Sequence, residues 1–235
     1  MTNNDGSVIE VKGGGTLTLT DSAPGTMHYY SVDPDTKLWT ILPDDTGAAG
    51  SIQGGIITGG STGQGGVPIR TGGSLTMNGG TIAGCRVNGQ GGGVSAANVR
   101  KITLAGSARI ADCIAANGSG LYITGSQMYP ADYGKLLANG GSVDGDVVLG
   151  DKDKNDGPCT ITGSGGTVFN GKVTVTPGST IESGTFNGEV INNGTISGGT
   201  FSGTVINGED GTIAEGVSIP NLKFIVTFDN EGTRP

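Results

Sequence analysis

The chain has 235 residues, among them 48 Gly and 9 Pro, with 34% hydrophobic and 5% aromatic residues and a net charge of −8. That charge argues against a nucleic-acid partner, which needs clustered Lys and Arg, and against an anionic membrane surface. No apolar run approaches the roughly 18 residues of a membrane span, and three cysteines without a CxxC pair exclude a disulfide-dense scaffold and a structural zinc site.

The first residues, MTNNDGS, carry neither the basic nor the apolar region of a signal peptide. The chain is therefore expected to be either cytosolic or an excised piece of a longer secreted protein. Leu17 and Leu19 begin a pass of strand-like runs that continues in GGIITGG and GGVPI. An insertion interrupts this pass, and its centre, residues 27–42, reads MHYYSV, DPDT, KLWTIL. Asp-Pro-Asp-Thr is a turn sequence in which proline fixes φ after an Asx residue. Its flanks are expected to pair as a β-hairpin with Tyr30 opposite Trp39, and with His28 and Ile41 on the same face.

Residues 74–95 and 101–122 then repeat one another. Leu75 aligns with Ile102, Met77 with Leu104, Ile82 with Ile110, Cys85 with Cys113 and Val94 with Leu121. Each unit holds three short strand-like runs separated by Gly and Asn clusters, which describes one rung of a parallel β-helix. A change follows at Gln127, where PADYGKLLANGG predicts a short helical or irregular excursion. From Ser142 the coil resumes in a narrower form.

Between residues 184 and 208 the chain beats in fives: GTFNG, EVINN, GTISG, GTFSG, TVING. The apolar residue at the centre of each is Phe186, Ile191, Ile196, Phe201 or Ile206. GTF recurs from Gly184 to Gly199, so three fives make one turn of the coil. No such segment buries a core alone, so each must stack on the next. The last residues, KFIVTFDNEGTRP, read as a single alternating strand unlike anything before it.

The fold expected is all-β, a single-stranded right-handed parallel β-helix (a solenoid) with a β-hairpin insertion. Its rungs taper from about 27 to about 15 residues. Residues 1–126 form the wide part with the hairpin at 27–42, residues 127–222 the narrow continuation, and residues 223–235 the stub of a following unit.

GSLTMNGGTIAG, the GGGV after it and NNGTISGGTFSG together resemble the right-handed β-helix repeats of adhesin-like, cell-wall-attached surface proteins of Gram-positive bacteria. KFIVTFDNEGT resembles the first strand of the β-grasp repeats of internalin-type proteins. The resemblance implies extracellular display at a cell surface or wall, with neighbouring domains in the same longer chain. It supplies no ligand.

Parallel β-helices also serve polysaccharide lyases and hydrolases, so an enzyme must be weighed. Glu182, Glu189 and Asp112 are isolated where glycoside hydrolysis needs paired carboxylates. No lyase constellation is recognisable around Arg70, Arg86, Arg100 or Arg109, and His28, the sole histidine, belongs to no triad motif. No catalytic residues are assigned.

Two segments break the rhythm and are the candidate sites. The hairpin gathers His28, Tyr29, Tyr30 and Trp39, whose aromatic faces suit stacking on a glycan or a host surface protein, or equally suit covering the side of the helix. Asp151, Asp153, Asn155 and Asp156, followed by Gly157, resemble the start of a Ca²⁺ loop, or form a solvated acidic turn. Gly falls one place late for a calcium loop, and no Glu follows at the twelfth position. Cys85 and Cys113 occupy matching places on consecutive rungs, as a disulfide or as buried thiols. Thr16, Thr18 and Thr20 form an outward row, as in ice-binding solenoids or by ordinary β propensity. The function expected is a non-catalytic adhesin-like stalk or binding module; the alternatives are a carbohydrate-acting lyase or hydrolase and a purely structural spacer.

Overall fold

Three-residue runs such as Val-Thr-Val and Leu-Tyr-Ile place their first and third side chains on one face and the second on the other, and this alternation generates the architecture. In the computed structural model, which describes residues 7–61, 65–151 and 156–225, the chain is all-β, with no helix among those residues. Its strands stack in parallel into three long sheets, the arrangement of a β-solenoid.

The first sheet has eight strands, from Thr16–Leu19 through Ser74–Met77, Lys101–Leu104 and Lys135–Ala138 to Thr212–Ile213. The second has seven, from Ile56–Ile57 through Thr81–Ala83 and Arg109–Ala111 to Thr200–Phe201. The third has eight, from Val67–Ile69 through Val94–Ala96 and Leu121–Ile123 to Leu222–Phe224. The chain visits them in the order first, second, third, then begins the next rung. The pairs expected from the repeat are in register: Leu75 with Ile102, Ile82 with Ile110, and Val94 with Leu121.

Inward residues of all three sheets merge into a single apolar cluster running from Val11 to Val205. Each fully buried Val, Leu or Ile there contributes on the order of 1.5–3 kcal/mol. Phe169, Phe186 and Phe201 stack with ring centroids 5.0 Å apart at each step. Polar side chains form ladders of their own. Arg109 donates to Asp144, Asn170 to Asp144, Asn187 to Asn170 and Ser202 to Asn187, at 2.6–2.9 Å.

Within the beat of fives, Ile191 and Ile206 face outward and are half-buried; the inward residues of their strands are Val190 with Asn192 and Val205 with Asn207. These three-residue strands turn their ends to the core and their middles to solvent. The segment PADYGKLLANGG, expected to be helical or irregular, is irregular in its first half and forms no helix. Its second half contains Lys135–Ala138, which joins the first sheet because Leu136 and Ala138 meet the buried row of Ile102 and Leu104.

Lys223 and Phe224 pair in parallel with Ile206 and Asn207 in the last strand of the third sheet. Residues 226–235 lie outside the described residues. Tyr30, finally, is opposite Ile41, and it is Val32 that is opposite Trp39. The turn is two residues longer than Asp-Pro-Asp-Thr. The Asp33 carboxylate accepts from the amides of Asp35 and Thr36 and from the Thr36 hydroxyl, and Lys37 adopts a left-handed φ of 62°.

Candidate functional site

The insertion leaves the first rung between the first and second sheets and folds as a three-stranded antiparallel sheet. Met27–Val32 lies between Trp39–Leu42 and Gly50–Gln53. The third strand escaped the sequence because GSIQ carries little β signal. Its Gly50 is needed where it is, since a Cβ there would strike the Tyr30 ring.

Alternation puts His28, Tyr30, Val32, Trp39 and Ile41 on one face of this sheet and Tyr29 on the other. Trp39 is only 5% exposed. Its indole stacks on Tyr30, with centroids 3.6 Å apart, and lies against Gly84 at the corner that follows Thr81–Ala83. Gly84 has a left-handed φ of 61°, and the matching corner of the next rung, Asp112, has 50°. Arg86 fixes the tip of the hairpin by donating to the Thr36 carbonyl at 2.7 Å. The indole thus anchors the insertion on the solenoid and has no open face, while His28, Tyr29 and Tyr30 are half-buried.

The acidic segment lies at another corner, between the third and first sheets. Asp153 and Asn155 lie outside the described residues. Asp151 accepts from the Tyr122 hydroxyl at 2.6 Å, and Asp156 from the Thr124 hydroxyl at 3.1 Å. Burial, then the neighbouring Asp151 carboxylate, push the ionisation of Tyr122 upward, so the phenol stays a donor. Among the described residues no three or more His, Cys, Asp or Glu gather as a metal group.

Cys85 and Cys113 are buried free thiols. They lie one residue before the bridge that joins Arg86 to Ile114, where Cys85 donates to the Ala83 carbonyl at 3.5 Å and Cys113 to the Ala111 carbonyl at 3.2 Å. Thr16, Thr18 and Thr20 are exposed, and Thr18 lines up across rungs with Thr76 and Thr103.

Of the arginines considered for catalysis, Arg70 is paired with Glu10 at 2.6 Å and Arg109 with Asp144 at 2.8 Å. Arg86 holds the hairpin. Arg100 differs. It lies over the Tyr133 ring, 5.6 Å from the centroid, on one side of a cleft of about 580 Å³. Thr16, Ser74 and Lys101 line the wall provided by the first sheet, and Asp132 and Tyr133 line the other side.

That second side is the irregular half of the excursion, which leaves after Ser126 and rejoins at Gly134, where the Gly134 amide donates to Val99 at 2.7 Å. Tyr129, 56% exposed, stands 6.0 Å from Tyr133. Sequence reasoning missed this cleft because its residues come from three rungs. The alignment of Ser74 with Lys101 was the available signal.

No family model matches the chain, and no curated protein or solved structure matches it significantly.

Proposed function

We propose that the chain is a non-catalytic, extracellular stalk or binding module of a bacterial surface protein, displayed at the cell surface or wall. The observation that carries this is the single apolar cluster shared by all three sheets from Val11 to Val205. Stacked rungs with one continuous core make a stiff, quasi-one-dimensional rod suited to holding contacts away from a surface. Such a rod meets a glycan or a host surface protein along its side, with further domains of the same chain at its ends. Resemblance to adhesin-like repeats supports the location.

The rod is read more finely as a right-handed, tapering β-helix. Successive parallel strands of one sheet strongly favour right-handed connections. Val94 pairs with Leu121 across an interval of 27 residues and Val190 with Val205 across 15, which supports the taper. Val147 still pairs with Val173 across 26, which supports a narrowing that begins beyond residue 127. For the acidic corner at Asp151 and Asp156, a Ca²⁺ role predicts heat on calcium titration and a lower melting temperature on chelation. A silent titration with an unchanged melting temperature rejects it.

The test of the whole proposal combines small-angle scattering with incubation on plant and host polysaccharides. A rod-like profile, binding to a glycan or host surface and no new reducing ends are expected. Release of reducing ends or unsaturated products from any polymer overturns the non-catalytic reading.

A further inference from the structure

We propose that the cleft between Arg100, Lys101 and Tyr133 binds an acidic sugar, its carboxylate or sulfate on the two cations and its ring against the tyrosine. This deepens the binding-module reading and rests on it only in requiring a ligand; a rod displayed for contact elsewhere stands without it.

Charge is the first ground. The chain carries −8 overall, yet Arg100 and Lys101 are adjacent here, and Lys135 is the register partner of Lys101 on the next strand. Neighbouring strands lie about 4.8 Å apart, and like charges directly opposite one another are destabilising. None of the three cations makes an ion pair among the described residues, whereas Arg70 and Arg109 each have a carboxylate within 2.8 Å. Asp132 is the one carboxylate lining the cleft, which leaves its rim cationic. An anionic group between the cations relieves their repulsion.

Shape and lining are the second ground. A cleft of about 580 Å³ falls in the range of small-ligand sites and admits a few sugar rings. The Tyr133 ring holds the Arg100 guanidinium by a cation–π contact and offers the cleft an aromatic surface for the apolar face of a sugar. Thr16 and Ser74 add hydroxyls able both to donate to and accept from ring hydroxyls. Paired cations, an aromatic plate and hydroxyls in one open cleft match a charged carbohydrate better than an apolar or a cationic ligand. The acidic remainder of the chain disfavours extended nucleic acid.

The test is calorimetric titration of the full chain with hyaluronate oligosaccharides (carboxylate), dextran sulfate (sulfate) and neutral dextran. Binding to one or both acidic probes and not to dextran is expected, weakening as salt rises. The response to the two acidic probes identifies the anion. Arg100→Ala with Lys101→Ala, and separately Tyr133→Leu, should each weaken binding at least tenfold. Lys172→Ala, which removes a cation paired with Asp146 far from the cleft, should leave it unchanged. Unchanged melting temperatures certify the variants, whose substituted side chains are exposed or half-buried. No binding to either acidic probe overturns the proposal, as does equal loss in Lys172→Ala or equal affinity for single-stranded DNA. Glycan binding that survives the cleft variants overturns it too, while leaving the stalk reading intact.

Discussion

Asn192 donates its side-chain amide to the Asn207 carbonyl oxygen at 2.7 Å, one rung away and inside the core. Both asparagines are buried, Asn192 completely and Asn207 with 6% of its surface exposed. Asn192 also donates to Thr212 and accepts from the Gly194 amide, and Asn207 donates to Gly211 at 2.7 Å. Asn192→Ala is therefore expected to cost about 1–3 kcal/mol, because its removal leaves buried partners unpaired. Chemical denaturation measures the loss. Asn192→Asp tests the pairing itself, since a carboxylate accepts but cannot donate to Asn207.

The aromatic ladder predicts a positional effect. Phe186 lies between Phe169 and Phe201 and is fully buried, whereas Phe201, at the end of the stack, is 4% exposed. Phe186→Ala should lose about 3–5 kcal/mol by cavity formation. Phe201→Ala should lose less, since its outer side has no further ring. Melting temperatures of the two variants give the order.

The corner under the insertion is tested with the one tryptophan. Gly84→Ala forces a Cβ into the Trp39 indole and a left-handed φ on alanine. The expected result is a displaced insertion on an intact solenoid. Trp39 emission should move to longer wavelength and hydrogen exchange should rise across Met27–Val32, while amides of the third sheet stay protected.

Alkaline pH should weaken the fold through the buried Cys159 thiol. Burial pushes the Cys159 thiol, which donates to the Ile123 carbonyl at 3.2 Å, from its usual 9.0 up to about 12. The folded form therefore keeps its proton while the unfolded form loses it. This contribution is fully present below about 9 and declines as pH rises towards about 12, by about 1.4 kcal/mol per unit. Cys159→Ala should flatten part of the slope in denaturation series run from pH 7 to pH 10.5.

Much of the solenoid was legible because stacking turns a linear repeat into a spatial register. Leu75 with Ile102 and Val94 with Leu121 could be paired from spacing alone. What escaped were features set by single backbone choices or by neighbours far apart in the chain. The Asp33 carboxylate lengthens the hairpin turn, so Tyr30 meets Trp39 diagonally and not directly. Three-residue strands turn Ile191 and Ile206 outward, a facing that the beat of fives does not display. At the sites, the hairpin aromatics were recognised as a cluster, but only the proximity of Gly84 reveals why the indole is buried. The cleft residues lie in rungs whose contact no local window displays.

Every departure from the rhythm leaves the coil at a corner. The insertion exits after Leu19 and returns at Ile56, the excursion exits after Ser126 and returns before Lys135, and the acidic segment spans Leu149 to Thr160. On either side the ladders keep step, with Leu19 beside Met77 and Ile123 beside Leu149. Length and chemistry thus vary at the corners independently of the core, so natural selection can exchange a corner segment without rewriting the strands. The same separation gives a protein engineer ready-made graft points, at which a foreign loop inherits a rigid mount and leaves the core sequence as it is.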